Sequence, residues 1–134
     1  MTSNDNIFRF LPCMIVYEKD KHRVDNYNRQ KQVISNLLKY NAIDTINEWD
    51  KWKEIAIKDG STTKPYIEEI GELHGKLGCN LSHQYLLRQL NDEDLYDWLL
   101  MLEDDTTIHN YDENLIHKII DNADSRECKY VHLF

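Results

Sequence analysis

Trp98-Leu99-Leu100-Met101-Leu102-Glu103-Asp104-Asp105 is an apolar run that stops abruptly in three consecutive carboxylates. An uninterrupted run of this kind, with no polar alternation, predicts a strand buried on both faces of a parallel sheet. Such a strand delivers its acids to the carboxyl end of the sheet, where open α/β folds bind ligands. Adjacent carboxylates resist sharing one place, since two unit charges about 4 Å apart repel by roughly 4 kcal/mol at an effective dielectric near 20. Either solvent spreads the charge or a cation sits there.

Around this strand, apolar segments of strand and helix character alternate. Residues 10–17 are largely apolar and predict a first strand. From Asp25 or Asn26, either of which suits an N-cap, the residues Tyr27, Val33, Ile34, Leu37 and Leu38 recur at helical spacing through Tyr40. Residues 41–46 are expected to form a short second strand and 47–60 a mixed polar stretch with Trp49 and Trp52 partly buried. The composition of residues 60–65 is the most loop-like in the chain, and residues 66–72 have no clear pattern. Gly71, Gly75 and Gly78 precede a helix predicted to start near Cys79, turn Leu81, Tyr85, Leu86 and Leu90 inward, and close at residues 91–94. After the acidic strand, Asn110 with Glu113 three positions on reads as a capping box. The helix it opens carries Leu115, Ile116, Ile119 and Ile120 and stops near Asn122. Residues 129–134 read as a last strand. This alternation predicts an α/β fold, a mostly parallel sheet with flanking helices.

The chain has 134 residues, a length that suits a single domain over 1–134 with residues 1–9 as a polar tail. Its 16 Lys and Arg against 24 Asp and Glu give a formal charge of -8, which disfavours nucleic acid as a partner. Cys13, Cys79 and Cys128 form no C-x-x-C pair, so neither a disulfide framework nor a zinc knuckle is expected. The polar start lacks the order of a signal peptide, and no apolar run reaches the length of a membrane span. A cytoplasmic protein is expected. Trp49, Trp52 and Trp98 read as core or half-buried aromatics, and Glu68, Glu69 and Glu72 as a solvated acidic face.

Two constellations could carry chemistry. Glu103, Asp104 and Asp105 offer hard oxygen donors suited to Mg²⁺ or Mn²⁺, and a cation held there could bridge the protein to a diphosphate. The plainer alternative is that these acids end a strand and face water. The second is Gly75-Lys76-Leu77-Gly78-Cys79-Asn80-Leu81-Ser82-His83. Its glycines would let backbone approach a ligand, and a helix N-terminus offers free N–H donors to an anion. Ser82 and His83 are expected near the first turn, with His83 either a substrate contact or a core or capping residue. The glycine spacing matches neither a P-loop nor a dinucleotide fingerprint. Cys79 is expected to be a small buried apolar residue.

Taken in order, Gly75-x-x-Gly78-Cys79-x-x-Ser82-His83 and then a strand ending Leu102-Glu103-Asp104-Asp105 resemble glycosyltransferase family 25. That family includes lipooligosaccharide and collagen galactosyltransferases. Met14-Ile15-Val16-Tyr17 with Arg23 after it, and Lys129-Tyr130-Val131-His132-Leu133, are similar to the family's opening strand and to the strand after its acidic motif. The resemblance implies a GT-A-like nucleotide-binding fold, a UDP-sugar donor with galactose as one candidate sugar, and inverting transfer to a hydroxyl of a glycan, lipid-linked or protein acceptor. It implies Mn²⁺ or Mg²⁺ at Glu103, Asp104 and Asp105, with Glu103 and Asp105 the foremost ligands. Arg23 would hold a donor phosphate. Gly78, Ser82 and His83 would shape the same cleft.

The sequence also departs from the family. Glu18-Lys19-Asp20 stands where the family more often has a basic and polar run. Family members continue past the strand that follows the acidic motif, so the C-terminal part of the domain, and much of the acceptor side, is expected to be absent. No residue is nominated as general base. A sheet edge at residues 130–134 would be open to pairing, which suggests a homodimer. A noncatalytic nucleotide-binding remnant or subunit is the alternative to an enzyme, and an unrelated metal-dependent phosphohydrolase ranks behind both.

Overall fold

In a computed structural model that describes residues 9–93 and 96–133, strand β1 (Phe10–Val16) is the middle of a three-stranded sheet. Helix α1 (Lys21–Val33) leads to β2 (Leu38–Asn41). Helices α2 (Trp49–Lys58), α3 (Lys64–Ile70) and α4 (Gly75–Glu93) follow, then β3 (Trp98–Glu103) and α5 (Glu113–Ser125). The strand order is β2-β1-β3 and both pairings are parallel, with Cys13 opposite Leu38 and Met101, and Ile15 opposite Tyr40 and Glu103. Pro12 is tolerated in this central strand because the β2 ladder begins only at Cys13, so on that side its missing N–H forfeits no ladder bond.

Alternate residues of the strands face opposite layers. Met14, Val16 and Leu102 pack with Tyr27, Ile34 and Leu37 beneath α1, and Phe10 meets His117 of α5 edge-on at 5.5 Å on the same side. Cys13 and Ile15 pack with Leu86 of α4, joined by Leu99 and Met101. A third cluster, Ala56, Ile70, Leu77 and Leu81 with Trp49 and Trp52 around it, ties α2 and α3 to α4. The expected α/β class, with a small open parallel sheet and flanking helices, is what the chain forms.

Several boundaries differ from expectation. α1 starts at Lys21, because Asp20 caps it by accepting from the backbone N–H groups of His22 and Arg23. The apparent continuation of its pattern through Leu38 joins two elements. The helix stops at Val33, a turn at Ser35 and Asn36 intervenes, and Leu38 is already β2, so that strand lies earlier than residues 41–46. The polar stretch 47–60 contains α2, and the unassigned residues 66–72 fall in and after α3, capped by the Thr63 hydroxyl. α4 begins at Gly75 rather than Cys79. α5 is capped by Asp112, not by Asn110, and runs on to Ser125.

β3 is not buried on both faces. Trp98 to Met101 are each half-buried and only Leu102 is fully so, since among the described residues β3 has a strand neighbour on one side alone. The strand expected at residues 129–134 is not formed over 129–133, which run as irregular chain along a groove of about 510 Å³ beside β3. Among the described residues the sheet edges are those of β2 and β3, and Phe134 lies outside the described residues. Of the polar tail, residues 1–8 also lie outside them, while Arg9 pairs with Asp121 and Asp124 of α5. The half-buried tryptophans and the exposed Glu68, Glu69 and Glu72 match expectation. Among the described residues no helix is long and apolar enough to cross a membrane.

Gly78 tests how α4 is seated. A Cβ there would lie 2.6 Å from both the Ile43 carbonyl oxygen and Thr45 Oγ1. Helix propensity alone favours alanine over glycine by about 1 kcal/mol. Overpacking against backbone costs about 1–3 kcal/mol and should win. Gly78→Ala is expected to lower the urea midpoint, and a raised midpoint would show that the contact is loose.

Candidate functional site at the carboxyl end of the sheet

Because all three strands run the same way, the segments following β1, β2 and β3 meet at one end of the sheet. The three acids that close β3 do not share one environment there. Alternation along the strand sends Glu103 toward the α4 side, while Asp104 turns back under β1 and is buried, and Asp105 is exposed.

Asp104 acts as an anchor. Its Oδ2 accepts from the Tyr17 backbone N–H at 2.8 Å, and its Oδ1 pairs with Arg23. The carboxylate in turn raises the Arg23 guanidinium pKa against the opposing effect of partial burial. Of the three predicted metal ligands, Asp104 is thus the one whose oxygens are both engaged within the protein. Arg23 also reaches Asp20, yet its side chain stays 43% exposed beside the acids.

Two residues of α1 complete the anchor. Asn26, half-way through the helix and buried, donates from Nδ2 to the carbonyls of Asp104 and Thr106, both at 2.9 Å. Gln30 donates to Asn26 Oδ1 at 3.1 Å and accepts from the Ile108 N–H at 2.9 Å. Asn26 is therefore no N-cap. It fixes the backbone that carries Asp105, and the sequence signal for it was a pair of polar residues, four apart, on the inward face of a helix.

The glycine segment packs against the chain around it. Two N–H groups in the first turn of α4 are spent on the preceding chain, with Lys76 donating to Leu73 and Leu77 to His74, while Thr45 Oγ1 donates to the His74 carbonyl at 2.6 Å. Gly78 is the point where helix and the segment after β2 touch. Ser82 is fully buried, donating to the Gly78 carbonyl at 2.6 Å and accepting from the Ile43 N–H at 2.8 Å. These two residues pack α4 onto that segment. His83 is different. It lies two turns into α4, half-buried, with Nε2 4.0 Å from Glu103 Oε1. Cys79, one turn earlier, is exposed and not a buried apolar residue, with Sγ also 4.0 Å from Glu103 Oε1.

A further polar group stands after β2. Asp44 accepts from Tyr17 Oη at 3.2 Å, from Asn47 Nδ2 at 2.7 Å and from the backbone N–H groups of Ile46 and Asn47, and pairs with Lys19 at 3.1 Å. Burial opposes its ionisation, but hydrogen bonds from Asn47, Lys19 and Tyr17 outweigh that and hold the carboxyl well below the usual carboxylate range. With a folded pKa below the unfolded one, the unfolded chain binds more protons in acid. The stabilisation is then complete above about pH 4 and is lost as pH falls further. Asp44→Asn should flatten the decline of stability below that pH, read by urea unfolding from pH 7 down to 3. An unaltered acid limb would mean that other carboxylates govern it. Sequence reading passed over Asp44, although its place directly after a strand was the available signal.

A model of glycosyltransferase family 25 (LPS biosynthesis protein) matches residues 14–134. The chain belongs to that family. The match runs from inside β1 through the acidic motif to the last residue, so in this glycosyltransferase family 25 chain the segments that follow all three strands lie within the family region. No curated protein and no solved structure matches the chain significantly. The GT-A-like class expected of the family agrees with the open parallel sheet, which carries exposed carboxylates at its carboxyl end.

Proposed function

We propose that the chain binds a UDP-sugar at the carboxyl end of its sheet and transfers the sugar to a hydroxyl of a glycan, lipid-linked or protein acceptor. The observation that carries this is the division of labour among the three acids. A buried Asp104, tied to Tyr17 and Arg23, holds two exposed carboxylates, Glu103 and Asp105, at the end of β3. Their exposure and hard oxygen donors fit Mn²⁺ or Mg²⁺. Such a cation, when bound, would offset the charge of the diphosphate leaving group.

Electrostatics support a cation here. The net charge is -8, and the nearby cations Arg23 and Lys19 are already paired with Asp104 and Asp44. An incoming diphosphate would therefore face two acids with only the exposed edge of Arg23 to offset them. Arg23 keeps enough exposure to reach a phosphate oxygen from its guanidinium edge while its other edge orients Asp104. Galactose is the sugar the family resemblance suggests first, and a cytoplasmic setting is part of the same proposal.

The reaction is tested by incubating the chain with UDP-galactose, UDP-glucose and UDP-N-acetylglucosamine, with Mn²⁺ and simple glycan acceptors, and following UDP release. Turnover or slow donor hydrolysis supports the enzyme. Tight UDP binding with neither would assign the chain to a noncatalytic nucleotide-binding role, and hydrolysis of generic phosphate esters would point to a phosphohydrolase.

A further inference from the structure

We infer that Cys79, His83 and Glu103 form a binding site for a borderline-soft divalent cation, zinc by its chemistry, which shares Glu103 with the acidic motif and takes its other two ligands from α4. Cys79 and His83 are four residues apart on α4, so they lie on one face of the helix. Glu103 reaches them from the end of β3. One ligand atom from each of the three lies within 4.8 Å of the others, and both the sulfur and the imidazole Nε2 are 4.0 Å from the same Glu103 oxygen.

Those separations suit a metal with little movement. Zinc bound to sulfur at about 2.3 Å and to nitrogen or oxygen at about 2.0–2.1 Å in tetrahedral geometry holds its ligand atoms roughly 3.3–3.6 Å apart. The three side chains need to close by an ångström or so, well within rotamer freedom for groups that are exposed or half-buried. The donor set is also selective. A thiolate with an imidazole favours zinc over Mn²⁺ or Mg²⁺, which prefer oxygen. Three protein ligands leave a fourth position open to water or an oxygen ligand.

Binding requires that the Cys79 thiol lose its proton to solvent as the Sγ–metal bond forms. Metal affinity should therefore rise with pH. Cys13 is buried in the sheet and Cys128 lies beyond α5, so neither joins this group.

The test uses Co²⁺ as a spectroscopic stand-in for Zn²⁺ on the full chain and does not depend on glycosyl transfer. A thiolate-to-cobalt charge-transfer band at one ion per chain, displaced by Zn²⁺ and kept in Cys128→Ser, is the expected result. Cys79→Ser should abolish the band and lower Zn²⁺ affinity by at least about 100-fold, since even outer-shell changes cost 10–100-fold. Glu103→Gln should keep the band and weaken binding, and circular dichroism establishes that each variant is folded. No band at saturating Co²⁺, or a band that survives Cys79→Ser and disappears with Cys128→Ser, overturns the site.

Discussion

Asp104→Ala is expected to lower the unfolding free energy by about 3 kcal/mol. The substitution removes the acceptor of the Tyr17 N–H and the partner of Arg23, and hydrogen bonds to charged groups are each worth about 1.5–3 kcal/mol. The full penalty of about 3–5 kcal/mol for breaking a buried ion pair does not apply, because Arg23 is 43% exposed and stays solvated when Asp104 is gone. Asp104→Asn should fall between, since the amide oxygen can still accept from Tyr17. Domains have only about 5–15 kcal/mol to lose, so the effect is large on that scale. Denaturant unfolding reads it directly. A loss below about 1 kcal/mol would mean that Asp104 is not the anchor of this end of the sheet.

Asp105→Ala should behave in the opposite way. The side chain is exposed, and a surface substitution of this kind stays within about 0.5 kcal/mol of the parent stability. Its predicted cost is functional, with cation-dependent UDP-sugar turnover falling by about 100-fold or more as one of two exposed cation ligands disappears. The two variants therefore separate scaffold from chemistry at adjacent positions. If Asp105→Ala keeps full turnover at limiting Mn²⁺, the exposed acids are not the cation site.

The apolar run into Glu103, Asp104 and Asp105 was enough to place acids at the carboxyl end of a parallel strand, because burial and strand direction both follow from it. How those acids would be distributed was not legible. That depends on β1 and α1 approaching from residues far away in sequence, so Asn26 read locally as a cap and turned out to be a buried clamp on the loop after β3. The short turn at Ser35 and Asn36 was hidden for a related reason. Apolar residues on both sides of it kept the helical rhythm while the chain had already entered β2. The packing of Gly78 and Ser82 was not legible either, since a glycine that admits a ligand and one that admits a neighbouring carbonyl look identical in sequence. Cys79 and His83 matched no metal-ligand spacing in the chain. Their third member is Glu103, which only the α4–β3 packing brings beside them.

The most direct test of the nucleotide-sugar reading is calorimetric titration of UDP into the wild-type chain with and without Mn²⁺. The arrangement of an anchored Asp104 between exposed Glu103 and Asp105 predicts binding that is strong with Mn²⁺ and lost without it. No heat of binding in either condition, or UDP binding indifferent to the cation, would contradict it.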